Sequence, residues 1–129
     1  MPGAGKVLTK GSDMAERRMF SMKIVDSDAF LNLSHSAQLL YFHLGMRADD
    51  DGFINNPLKI IRVISADQSH LQELIDKRFV IKFETGVIVI KHWRMQNALR
   101  KDRHKPTPYQ EELKTLKEKP NGAYTERNK

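Results

Sequence analysis

The residues best suited to chemistry in this chain are cations crowded into one stretch. Lys91, Arg94, Arg100, Lys101, Arg103 and Lys105 share residues 91–105 with a single acid, Asp102. Side chains of that sign and density suit the neutralisation of phosphates along a nucleic-acid backbone. The plainer alternative is a solvated basic tail. Other constellations point to no reaction. The 5 histidines, at positions 35, 43, 70, 92 and 104, are scattered and form no H-x-x-x-H pair, the spacing a helix-borne metal site needs. The absence of cysteine removes thiolate metal sites, disulfides and a Cys nucleophile together. GAGK at residues 3–6 lacks the upstream Gly and the following Ser or Thr of a phosphate-binding loop. Asp49-Asp50-Asp51-Gly52 suggests calcium, but a chelating loop sets its acids at alternate positions and closes on Glu. That run reads as a solvated turn. No catalytic residue, cofactor or metal is expected.

The 129 residues are 40% apolar and 29% charged, with a formal net charge of +6. The basic excess lies at the two ends, in residues 1–23 and 91–129, while residues 24–90 are slightly acidic. The longest unbroken apolar run is Val87-Ile88-Val89-Ile90, far short of the roughly 20 residues that span a membrane. Residues 1–13 carry no secretory signal. These features predict a cytoplasmic protein with a polyanionic partner and no membrane contact. The expected organisation is a flexible N-terminal segment over 1–19, of which 1–13 reads as an extension or tag. A folded domain over 20–99 follows, and then a basic, partly helical tail over 100–129.

The elements that must position these residues follow from periodicity and caps. Ser34 or Ser36 opens a helix with Ala37, Leu40, Tyr41, Leu44 and Ala48 on one stripe, widened by Leu39 and Phe42. Phe53-Ile54 makes at most a tiny strand. Asn55-Asn56-Pro57 starts a second helix, with Leu58, Ile60, Ile61 and Ile64 inward and Lys59 and Arg62 outward. Ser65 to Gln68 reads as a capping box for a third helix packed through Leu71, Leu74 and Ile75. Phe79 to Lys91 alternates around Glu84-Thr85-Gly86 as a β-hairpin whose second strand is the covered one. Trp93 belongs to the core, and His43 and His92 read as structural. Residues 109–119 predict a short solvated helix with Leu113 and Leu116, and residues 121–129 a frayed end.

That order predicts an α+β fold: a winged helix-turn-helix with a three-helix core, a C-terminal β-hairpin wing and a basic tail. Its third helix places Gln68, Ser69, His70, Gln72 and Lys77 toward base edges. Lys59, Arg62, Lys82, Arg94, Arg100, Lys101, Arg103 and Lys105 supply phosphate contacts. One feature opposes this: Asp67, Glu73 and Asp76 leave the third helix net negative, and acids repel phosphates.

The segments MAERRMFS, IVDSDAFLNLS, YFHLGMRADDDGFINNP, FETGVIVIKHWRMQNALRKDRHKPT and YQEEL span residues 14–112. Together they resemble the N-terminal domain of phage replisome organiser proteins, which is similar to the winged-helix domain of DnaD-type primosome proteins. The resemblance implies a role in replication initiation inside a bacterial host: binding repeats in a phage origin, remodelling the duplex and helping to load the replicative helicase. It implies double-stranded DNA as a partner, a helicase loader or another host replication protein as a second partner, and self-association. A further C-terminal region follows in the family, so the chain is expected to be a fragment or a short stand-alone member. Two positions depart from the family pattern: Gln96 stands in place of His, and His104 in place of Tyr. Two readings from other classes remain. One is a winged-helix transcriptional regulator. The other is a phage protein-interaction module whose acidic third helix contacts and inhibits a host protein.

Overall fold

A computed structural model describes residues 17–98 and 102–127. Among these residues the fold is α+β, with seven helices and two small antiparallel sheets. The first three helices are α1 (Met22–Val25), α2 (Asp28–Leu31) and α3 (His35–Arg47). Each opens on a serine, Ser21, Ser27 and Ser34, whose oxygen accepts a hydrogen bond from an otherwise unpaired backbone N–H of the first turn. The long helix α3 runs through the centre and buries Ala37, Leu40, Tyr41 and Leu44. Of the two residues expected to widen its apolar stripe, Phe42 packs against the core while Leu39 is 48% exposed. Phe30, Tyr41 and Phe79 meet edge to face, with ring centroids 5.2–5.9 Å apart.

After β1 (Phe53–Ile54), Asn56 caps α4 (Pro57–Val63), with Pro57 in the first turn. Ile60 and Ile61 are buried, but Leu58 turns outward. The turn to α5 (Gln68–Asp76) differs from the expected one. Ser65 is not the cap; it takes a left-handed φ of 59°, which tightens the turn. Asp67 is the cap: its carboxylate accepts from Ser69 N–H, and Asp67 N–H donates to Nδ1 of His70. The reciprocal capping box is present two residues later than the sequence suggests, with His in the role usually taken by Glu or Gln.

The hairpin strands are β2 (Val80–Lys82) and β3 (Ile88–Ile90). β3 lies between β1 and β2, antiparallel to both, with Phe53 opposite Val89 and Lys82 opposite Ile88. Its central position explains why Val87 to Ile90 is apolar on both faces. No helix among the described residues is long and apolar enough to cross a membrane.

Two expectations are corrected at the acidic turn and the C-terminal segment. Asp50 and Asp51 are buried, Asp51 to 1% exposure, so Asp49-Asp50-Asp51-Gly52 is not a solvated turn. Asp50 accepts from Arg18 Nη1 at 3.1 Å and Lys105 N–H at 3.0 Å. Asp51 binds Arg94 Nη2, His104 Nε2 at 2.7 Å and Thr107 N–H at 2.8 Å. Gly52 closes the turn at φ +91°, where a Cβ would lie 2.6 Å from Trp93.

The second correction follows from the first. The segment expected as a tail over 100–129 folds back on this turn between residues 102 and 127. After α6 (Trp93–Gln96) it builds α7 (Gln110–Lys114) and a second hairpin, β4 (Leu116–Glu118) with β5 (Tyr124–Glu126). Leu116 and Tyr124 are buried. Tyr124 N–H donates to Lys91 C=O at 2.8 Å, and its hydroxyl donates to Asp51 C=O at 2.8 Å. Gly122, at φ +92°, lets that hairpin touch α6, since a Cβ there would lie 2.5 Å from Met95 N. At the other end Arg18 is buried and Met19 exchanges two hydrogen bonds with the Asn97 side chain. The packed body therefore passes both expected boundaries, 20 and 99.

Two outcomes test this packing. Asp51→Asn removes the buried charge that Arg94 and His104 share, so the unfolding free energy should fall by about 1–3 kcal/mol in urea titration; a solvated turn would tolerate the change. Burial and the nearby Lys91 and Lys119 push His92 down to about 4, from an ordinary 6.5. The unfolded chain therefore takes up this proton first. Stability carried by neutral His92 is full above about pH 6.5 and is lost as the pH falls toward 4. In His92→Phe that part of the pH dependence should disappear from the urea midpoints.

Candidate nucleic-acid interface

The hairpin and the third long helix, α5, flank a cleft of about 310 Å³. Gln68 and Gln72 reach it from α5, Lys82 from β2, and Asn55 and Asn56 from the turn before α4. Leu71, Ile75 and Ile88 supply its apolar lining. No carboxylate lines it.

The α5 acids that oppose phosphate binding in the sequence have other employment. Asp67 caps its own helix. Glu73 crosses to the start of α3, where it accepts from Ser34 N–H and Ser34 Oγ, both at 2.7 Å. Those hydrogen bonds hold its carboxyl below the usual carboxylate range. Asp76 accepts from Gln72 Nε2 at 2.8 Å, which steadies Gln72 along the helix. The charge remains, with Asp76 exposed beside Gln72, but Glu73 is directed toward α3, and the cleft itself is lined by the amides of α5 and the ammonium of Lys82 on the hairpin.

The expected site residues separate into groups. Gln68, Gln72 and Lys82 come together in the cleft. Ser69 is exposed beside them on α5. His70 is drawn into the capping box through Nδ1, and Lys77 forms the C-terminal cap of α5. Arg62 is exposed on α4. Lys59 lines a second cleft, of about 390 Å³, with Arg47, Asn55, Asn56 and Tyr109.

Arg94 is reassigned. It binds Asp51, lies 3.9 Å from Glu118 and donates through Nε to the Tyr124 hydroxyl at 3.1 Å. A guanidinium committed to three partners holds the fold together and is poorly placed to meet phosphate. Lys105 is tied at its backbone N–H to Asp50. Arg103 is exposed, while Arg100 and Lys101 lie outside the described residues.

Asn55, Arg47 and Tyr109 escape a reading of the sequence. Asn55 reads there as part of a helix start and Tyr109 as the first residue of a short solvated helix, while nothing in the sequence singles out Arg47. Among the described residues no cluster of His, Asp and Glu has the arrangement to hold a metal ion. Comparison with protein families, with curated proteins and with solved structures finds no match.

Proposed function

We propose that this chain is a winged-helix protein that binds double-stranded DNA, with α5 in the major groove and the β2–β3 hairpin against the adjacent backbone. The observation that carries the reading is the acid-free cleft between those two elements, lined by Gln68, Gln72, Asn55, Asn56 and Lys82. Asn and Gln amides can donate and accept at once, the pairing that adenine N6 and N7 offer in the major groove. Exposed cations flank this face, Lys59 and Arg62 on α4 and Lys82 on the hairpin. They supply the sequence-independent part of the affinity and fix the register on the duplex. The order of α3, β1, α4, α5 and hairpin supports the winged-helix assignment.

The resemblance of residues 14–112 to phage replisome organisers supplies the process: replication initiation in a bacterial cytoplasm, at an origin, as organiser or helicase-loading accessory. A protein-contact reading has its own observation. Leu39 and Met46 sit seven residues apart on α3, 48% and 45% exposed, and Met22 on α1 is 67% exposed. Such a surface fits self-association or a loader protein beside DNA binding, and it gives no support to an enzyme.

Salt dependence tests the assignment. The double variant Arg62→Ala/Lys82→Ala should flatten the slope of log K against log salt by about two, since each phosphate contact contributes about 0.9. Arg94→Ala should lower the thermal midpoint and leave that slope unchanged at a temperature where the variant is folded. A slope that follows Arg94 and ignores Arg62 and Lys82 would move the interface to the other side of the molecule.

A further inference from the structure

The cleft of about 390 Å³ around Lys59 is lined in part by residues that the duplex reading leaves without a role, Arg47, Pro108 and Tyr109. Its walls come from the end of α3, from β1 and α4, and from Pro108 and Tyr109 of the returning C-terminal segment. Arg47 and Lys59 stand at it, and among the described residues neither forms an ion pair with a carboxylate; Arg47 Nη1 bonds His43 Nδ1 at 2.9 Å and donates to His43 C=O at 3.2 Å, contacts that leave its charge without a carboxylate counterion. Asp49 is the one acid in the lining, and its oxygens are engaged. Oδ1 accepts from Asp51 N–H and Phe53 N–H at 2.9 and 3.0 Å, and Oδ2 from Thr107 Oγ1 at 2.6 Å. Its carboxyl is held above the usual range by burial.

Tyr109 offers a flat ring in a fixed place. The ring packs against buried Phe53, with centroids 6.2 Å apart and planes at 32°. Its backbone N–H donates to Thr107 Oγ1, itself bound to Asp49. Yet Tyr109 is only half-buried, and its hydroxyl has no hydrogen-bond partner among the described residues. Nor has the side-chain amide of Asn55, which borders both this cleft and the cleft beside α5.

An aromatic face, a donor–acceptor amide and two cations without carboxylate partners, around a volume within the range of small-ligand sites, match the parts of one nucleotide. We infer that this cleft holds one unpaired nucleotide of a DNA strand: its base on the Tyr109 ring, its polar edge toward Asn55, and its phosphates toward Arg47 and Lys59. The two clefts meet at Asn55–Asn56, so a strand leaving a duplex bound beside α5 has a short path to it. The inference rests on the DNA-binding reading and adds a preference for junctions between paired and unpaired DNA.

Anisotropy titrations separate the claims. Three probes are needed: a blunt duplex, the same duplex with a three-nucleotide single-stranded end, and that end in RNA; thymidine monophosphate serves as competitor. The single-stranded DNA end should tighten binding about tenfold over the blunt duplex, the order of one base–aromatic stack. Tyr109→Ala and Arg47→Ala should each remove most of that gain while the blunt duplex binds as before. Tyr109→Phe should keep the gain, since the ring is retained. Arg47 is exposed, so its variant tests the cleft even if Tyr109→Ala unfolds the chain. Blunt-duplex binding with no gain from the single-stranded end, or a gain untouched by Arg47→Ala and Tyr109→Ala, overturns the inference and leaves the duplex reading standing. A larger gain from the RNA end, or full competition by the mononucleotide at matching affinity, overturns the assignment to a DNA strand. Failure of the wild-type chain to bind any of the three probes sinks the DNA-binding reading itself.

Discussion

A carboxylate with 1% of its side chain exposed holds this molecule together. Taking Asp51 out of water carries a large desolvation penalty, tolerable only if cations and N–H groups surround it. Its partners are Arg94 from α6 and His104 and Thr107 from the returning C-terminal segment. Asp50 beside it binds Arg18 from the N-terminal arm and Lys105 N–H, and its C=O accepts from Trp93 Nε1. Three distant stretches of chain thus converge on one turn. None can leave without depriving a buried carboxylate of partners, which makes the N-terminal arm, α6 and the returning C-terminal segment parts of one cooperative body.

The same turn sets the geometry of the candidate interface. It delivers the chain into β1, and β1 pairs with β3 to anchor the hairpin. The next residues, Asn55 and Asn56, border both clefts. Charge is sorted in the process. Arg18 and Arg94 are consumed by Asp50 and Asp51, and Glu73 by Ser34. What remains outward around the clefts is amide and cation: Gln68, Gln72, Asn55, Lys82, Arg47 and Lys59. A net charge of +6 says less about function than which cations are left after the fold has taken its share.

Much of the helical part is legible because its signals are local. Ser34, Asn56 and Pro57 act within one turn of their position, and Gly86 sits in the loop that its φ of +90° demands. The acidic turn is illegible for the opposite reason. The distant partners of its carboxylates lie 32 to 58 residues away in the chain, and three acids in a row look solvated until those partners arrive. The second hairpin is hidden by its size, since each strand has three residues and only Leu116 and Tyr124 carry the apolar signal. Gln96 and His104 also find partners that no local signal reveals: Gln96 Nε2 donates to the Tyr41 hydroxyl at 2.9 Å, and His104 binds Asp51. At the candidate site, helical spacing is enough to place Gln68 and Gln72 on the exposed side of α5. Arg94 looked like one of a run of phosphate ligands because neighbours in sequence do not reveal which cation turns inward.

The central claim is that the face between α5 and the hairpin meets DNA. Amide proton–nitrogen NMR spectra of the 129-residue chain, recorded during titration with a duplex, test it residue by residue. The account predicts the largest shifts at the backbone and side-chain amides of Asn55, Asn56, Gln68 and Gln72 and at Lys82, with Glu73 and the Asp50–Asp51 turn nearly still. Shifts centred on residues 110–127, or no shift at saturating duplex, would contradict it.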